Sequence, residues 1–268
     1  MSDFILVTKS KRKSKKTSKL RVDRSLSPIE IDEDKVINQI REIKIDLESS
    51  DFFKKSFELF AETIKNRLIE EIICLGIGKI SECIIAKHQF AFILIIKEKF
   101  NIQYLKFYDP IHSLKDKNIL KSFDCEILKE NKEAKYIADK LSLFYLPHCP
   151  KQITNNLLYK NWNAASLNNL IIICNSFKSI IEATPERFLR PNAHYIIEID
   201  PFVNERELEN CYKFTDIFND FSIHTFDKVA ELEKDFWENN PEPIYSSEDL
   251  EFVKEKNGRS EDIERNFK

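Results

Sequence analysis

At 268 residues, with 42% hydrophobic side chains and 21 phenylalanines, the chain has ample material for a buried core. Its charges nearly cancel, at net −3 with a pI near 6.1, which excludes a surface built wholly to bind nucleic acid. The longest apolar run, residues 90–96, is far short of a membrane span, and the six cysteines are scattered with no C-x-x-C, unlike a disulfide frame or a zinc site.

Residues 1–30 are rich in Lys and Ser and are expected to be a disordered basic tail. Lys11, Arg12, Lys13, Lys15 and Lys16 form a cluster of the kind that nuclear import receptors or polyanions attract, although a solubilising tail would look the same. Two helices should follow. Val36, Ile37, Ile40 and Ile43 share a face in the first. After Ser50 and Asp51 as N-cap candidates, Phe53, Phe57, Phe60, Ile64 and Leu68 do so in the second.

From residue 71 onward, short apolar strands alternate with helical patterns. Strands are expected at 72–75, 102–108, 125–128, 143–146, 170–174 and 195–199, with a last one at 221–226. Helices are expected at 80–99, 113–121, 133–140, after Pro150, and at 177–183. Asn204-x-x-Glu207 has the spacing of a capping box at a further helix start. Such alternation predicts an α/β fold, a Rossmann-like, doubly wound, mainly parallel sheet with helices on both faces. The domain is expected to span 31–237, followed by an acidic tail at 238–268; the stretch from Glu231 to Lys268 carries twelve acids against six bases. With no signal-peptide core near the start, the protein is expected in the cytoplasm, the nucleus or both, without membrane contact.

Polar residues collect after the strands. Gly76 and Gly78 follow the first, Asp109 the second, Glu130 and Asn131 the third, and His148 and Cys149 the fourth. Asn175 and Ser176 follow the fifth, and Asp200 the predicted sixth. In a doubly wound sheet these ends share one edge, where ligands bind. Two of only three glycines stand in the first turn, which suits a tight turn or close approach of a ligand phosphate or carboxylate. The candidate pocket is therefore Gly76, Gly78, Asp109, His148, Asn156, Asn175, Ser176 and Asp200, with a nucleotide-like ligand. The glycine motif is incomplete, since Ser81 occupies its third position and Asp109 lies 31 residues beyond Gly78 rather than about 20.

His148 and Cys149 are adjacent in sequence and so ill placed to act as base and nucleophile; a helix-initiating turn is the plainer reading. No second histidine or cysteine lies at zinc-ligand spacing. Asn155, Asn156, Trp162 and Asn163 suit either a hydrogen-bonding pocket wall or an internal polar network that fixes a loop. No catalytic residue, metal or cofactor is assigned.

Several blocks resemble the SRR-like (sensitivity to red light reduced) family. They are Cys74-Leu75-Gly76-Ile77-Gly78 with Gln89, Tyr108-Asp109-Pro110, and Phe144-Tyr145-Leu146-Pro147-His148-Cys149-Pro150. Asn155-Asn156-Leu157-Leu158 with Asn161-Trp162-Asn163, and Asn175-Ser176-Phe177, complete the set, which spans about 72–226. The resemblance implies a non-enzymatic eukaryotic regulatory protein with protein partners, linked in plants to red-light signalling and clock input and elsewhere to cytoskeletal or haem-related regulation. Cys174 stands where the family often has glycine. The alternative is a Rossmann-like transferase with a nucleotide or adenosyl cofactor, in which Gly76 and Gly78 cradle the cofactor and Asp109 holds its ribose. Against a methyltransferase of the usual type, Ile73 and Cys74 occupy the places where an acid is expected before the glycine turn.

Overall fold

The computed structural model describes residues 32–248 and 250–252. The basic segment at 1–30 lies outside the described residues. Two capped helices open the domain. In α1 (Glu33–Ser49) the Asp32 carboxylate accepts the Lys35 N–H, and in α2 (Asp51–Ile64) the Ser50 hydroxyl accepts that of Phe53 at 3.1 Å. Their apolar stripes bury Val36, Ile40, Phe53, Phe60 and Ile64 as the spacing predicts; Leu68 falls beyond the end of α2 and is exposed.

The sheet contains β1 (Glu71–Leu75), β2 (Tyr104–Tyr108), β3 (Glu126–Ile127), β4 (Ser142–Tyr145), β5 (Leu170–Asn175), β6 (Asn204–Glu207) and β7 (Phe221–Thr225). Their order is β3-β2-β1-β4-β5-β7-β6. The first five are parallel to one another, and β7 runs antiparallel to both β5 and β6. The mainly parallel, doubly wound sheet read from the sequence is therefore present, with its order reversing between β1 and β4. Alternate side chains feed two cores. Ile72, Cys74, Tyr145 and Ile173 face the core that includes α1, α2 and α3 (Ile84–Lys99), while Ile73, Leu75, Phe144 and Ile172 face the other. Also present are α4 (Leu114–Ser122), α5 (Lys151–Lys160), α6 (Ala164–Asn168), α7 (Phe177–Ala183), α8 (Glu186–Ile199) and α9 (Lys234–Glu238). Among the described residues, no helix is long and apolar enough to cross a membrane.

Four expectations need correction. Residues 195–199 are the last turns of α8, because Leu189, Asn192, Ala193, Tyr195, Ile196 and Ile199 bury one helical stripe across a kink at Ala193. Asn204–Glu207 is not a helix start but the polar edge strand β6, half-exposed as edge strands are. Residues 133–140 form no helix: Glu133 and Ala134 are both left-handed, at φ 50° and 63°, which no α-helix accommodates. Finally, residues 238–248 and 250–252 of the segment expected as a solvated tail pack back on the domain, and the rest of it lies outside the described residues. Tyr195 donates its hydroxyl to the Pro241 carbonyl at 2.6 Å, and Tyr245 is buried.

What holds that segment is an amide network on α5. The Tyr245 hydroxyl donates to Oδ1 of Asn156 at 2.8 Å, lies 3.2 Å from the Gln152 carbonyl, and accepts from Nδ2 of Asn155 at 3.0 Å. Asn155 also accepts the Tyr195 backbone N–H. Replacing Tyr245 with Phe leaves two buried amides short of a partner, and we expect it to lower unfolding stability in urea by about 1–3 kcal/mol.

Candidate functional site

Between β1 and β4, where the strand order reverses, the first βα turn is held by carboxylates. Asp109, just past β2, accepts the Gly78 N–H on Oδ2 at 2.7 Å and the Ile111 N–H on Oδ1 at 3.0 Å. His112 lies with Nε2 3.1 Å from the Gly78 carbonyl and donates to it there, so both polar groups of that glycine are engaged. Burial lowers the pKa of His112, against the opposing charges of Asp109 and Asp116. One turn on, the fully buried Asp116 accepts the Ser81 N–H at 2.8 Å and the Ser113 N–H at 2.8 Å, closing a capping box on α4. Burial drives the Asp116 carboxyl up, but hydrogen bonds from Ser113 and Ser81 outweigh it and hold the pKa below the usual carboxylate range.

The two glycines serve different needs. A Cβ on Gly76 would lie 2.5 Å from the Cys149 sulfur, whereas one on Gly78 would meet open space. Gly76 thus makes room for the thiol, whose S–H donates to the Leu75 carbonyl at 3.2 Å. Gly78 is required by its φ of +82°, which turns its N–H onto Asp109. An anion cannot occupy that N–H without displacing a carboxylate.

His148, left-handed at φ 50°, accepts on Nδ1 from the Gln89 side chain at 3.4 Å and donates from Nε2 to the Asn219 carbonyl at 3.1 Å. Gln89 also donates to the Ile217 carbonyl. Burial, followed by the charge of Asp109, pushes the Cys149 thiol up to about 12. Neither residue is arranged as a nucleophile–base pair.

Around these groups lies a cavity of about 310 Å³ walled by Gly76, Tyr108, Asp109, Ile111, Tyr136, His148 and Phe252. Of the sequence-derived residues, Gly76, Asp109 and His148 line it, and Gly78 lies behind it through Asp109. Asn156 stands outside and ties down one wall, donating to the Glu133 carbonyl at 2.9 Å. Its neighbour Asn161 takes the Ala138 N–H and donates to the Tyr136 carbonyl, so the asparagine block is the internal network rather than a pocket wall.

Asn175, Ser176 and Asp200 belong elsewhere. Asn175 donates to the Asp220 carboxylate, and Ser176 caps α7 and lines a second cavity with Asp200. Asp200 follows the end of α8 rather than a strand, so the single pocket expected from the sequence is two cavities. Sequence reasoning missed His112, Asp116 and Tyr245. The Ser113-x-x-Asp116 spacing was a usable signal for Asp116; nothing local marks the other two.

The SRR1 domain model matches residues 46–225. The chain belongs to the SRR1 family. An SRR1-like protein of Drosophila melanogaster is 30% identical over 233 residues, which span 84% of this chain and 82% of that protein. One from Mus musculus is 29% identical across 63% of this chain and 82% of its own length. The SRR1-family protein SENSITIVITY TO RED LIGHT REDUCED 1 of Arabidopsis thaliana is 29% identical over 110 residues, 40% of each chain. Among solved structures, the SAH-bound methyltransferase PaMTH1 of Podospora anserina covers 72% of this chain and 86% of its own at 13% identity. Its TM-score of 0.36 carries no functional weight.

In this SRR1-family chain, Gly76→Ala should cost about 1–3 kcal/mol by urea unfolding, through both the clash and the positive φ. Adding Cys149→Ala removes the clash alone and should restore part of the loss, a coupling that a double-mutant cycle reads directly. Asp116 sets an acid limit. Its folded pKa lies below the unfolded value near ~3.9, so its contribution is complete well above about pH 4 and is lost as pH falls through the folded pKa. Between pH 5 and 3 the wild type should lose stability more steeply than Asp116→Asn.

Proposed function

We propose that the protein is a non-enzymatic regulator that acts through binding, and that the cavity where the strand order reverses receives a nucleotide-like ligand. The observation that carries this is the cavity's position and lining. It lies outside the carboxyl ends of parallel strands at the reversal point, with Tyr108, Tyr136, Ile111 and Phe252 offering ring-stacking and apolar surface beside the Asp109 carboxylate. The name of the plant relative supports a signalling role.

Phosphate recognition belongs away from the glycine turn, since Asp109 already holds the Gly78 N–H. A second hollow of about 500 Å³ shares Tyr108, Asp109 and Pro110 with the first and is lined by Lys117, Lys121 and Lys129. Base and ribose in the first cavity would direct a phosphate toward these lysines. The reading without chemistry is favoured by His148 and Cys149, whose polar groups are occupied with backbone and Gln89.

Thermal denaturation with adenosine, adenosine monophosphate and inorganic phosphate tests the proposal. The monophosphate should raise Tm by several degrees and by more than adenosine, while phosphate alone does little. Ile111→Trp, at a half-exposed wall position, should abolish both shifts, and Lys117→Gln with Lys121→Gln should reduce the monophosphate to the level of adenosine. Asp109→Asn is a poor probe, because the new amide would face the Gly78 N–H and loosen the turn itself. No shift with either nucleoside compound would remove the ligand reading.

A further inference from the structure

The second cavity, about 810 Å³ between α7 and the β6–β7 ribbon, gathers five carboxylates: Glu182, Asp200, Glu205, Glu207 and Asp220. Two lysines, Lys178 and Lys228, also line it. Among the described residues, neither lysine makes an ion pair with these acids, and Glu182, Asp200, Glu207 and Asp220 make none at all. Glu205 is compensated, accepting the Lys178 backbone N–H at 3.2 Å and lying 3.6 Å from Nε2 of the buried His224, and Asp220 accepts one neutral hydrogen bond from Asn175. Asp200 records the remaining field: burial, and then the charge of Glu205, raise its pKa above the ordinary carboxylate value.

An independent observation lies in the same wall. Ser222 lines the cavity, is fully buried, and among the described residues its hydroxyl has no hydrogen-bond partner. A buried hydroxyl left unpaired is costly, and native proteins keep few of them. Ser222 stands directly opposite Glu207 across the β6–β7 ladder, so the two side chains leave the sheet side by side. Glu207 and Ser222 are thus neighbours on one wall of the cavity.

We infer that this cavity binds a small linear organic polycation of the oligoamine class, with one ammonium group held between Glu207 and Ser222 and others met by the remaining acids. A single metal ion fits poorly. It needs several oxygen ligands converging at about 2.0–2.6 Å, and among the described residues no three Asp, Glu, His or Cys side chains are grouped closely enough. The carboxylates are instead distributed over α7, β6, the turn after α8 and the turn before β7, which matches a ligand whose charges are themselves spaced along a chain. The volume lies in the range of small-molecule sites.

Calorimetric titration of the full chain at fixed ionic strength tests this, with spermidine, magnesium chloride and a short oligolysine peptide as probes. Spermidine should bind, and magnesium should not displace it. Glu207→Gln should weaken binding by about tenfold or more through loss of a charge-assisted hydrogen bond. Ser222→Ala should weaken it by a smaller factor while leaving Tm unchanged or slightly higher, since it removes an unpaired hydroxyl. An equal response to magnesium, oligolysine binding without spermidine binding, or spermidine affinity indifferent to both substitutions would each overturn the assignment.

Discussion

The Asp109 carboxylate is the constraint on which this end of the sheet depends. By taking the N–H groups of Gly78 and Ile111 on its two oxygens, it joins the turn after β1 to the turn after β2. Neutral acceptors could satisfy the same donors, but hydrogen bonds to a charged group are roughly twice as strong and shorter. His112 and Asp116 extend the clamp to the Gly78 carbonyl and the Ser81 N–H, so both ends of the segment from Gly78 to Ser81 are fixed by side chains of the β2–α4 connection and the first turn of α4. The cavity beside it therefore has a rigid floor and a charged one, whose charge is already committed to backbone N–H groups.

The opposite wall is built by a different kind of interaction. Asn155, Asn156 and Asn161 are neutral, fully buried amides, each able to donate and accept. Asn156 and Asn161 hold a stretch of irregular backbone that has no sheet or helix of its own, and Asn155 holds the Tyr195 N–H just past the kink in α8. Residues 133–138, with Glu133 and Ala134 left-handed, could not be held in place by apolar packing alone, because their backbone groups would be left unpaired. Acid clamps on one side and amide clamps on the other leave the ring-bearing residues Tyr108, Tyr136 and Phe252 to define the space between.

The parallel half of the sheet was legible because β1, β4 and β5 are buried on both faces and read as unbroken apolar runs ending in turn residues. The same rule misled at 195–199, where β-branched residues serve the buried stripe of a helix, and at Asn204–Glu207, where an edge strand carries no apolar signature. The site divided for the same reason. Gly76, Asp109 and His148 follow parallel strands and converge, whereas Asp200 converges with Ser176 only because β7 reverses direction and carries β6 back beside it. The roles of the glycines were invisible in the sequence, since a glycine that makes room for a thiol and one that turns its amide onto a carboxylate are spelled alike.

The loop before β7 has a consequence for how the two cavities relate. Asn219 accepts the hydrogen bond of His148, a wall of the first cavity, and the next residue, Asp220, is a wall of the second. With Ile217 tied to Gln89, three positions in four consecutive residues connect the two sites through backbone and ring rather than through solvent. A ligand that displaced Asp220 would act on Asn219 and so on the imidazole that lines the first cavity. Linkage makes any such influence mutual: whatever free energy occupation of one cavity adds to or removes from binding at the other is returned in equal measure. Within one small domain, this short loop gives the walls of both cavities a common point of leverage.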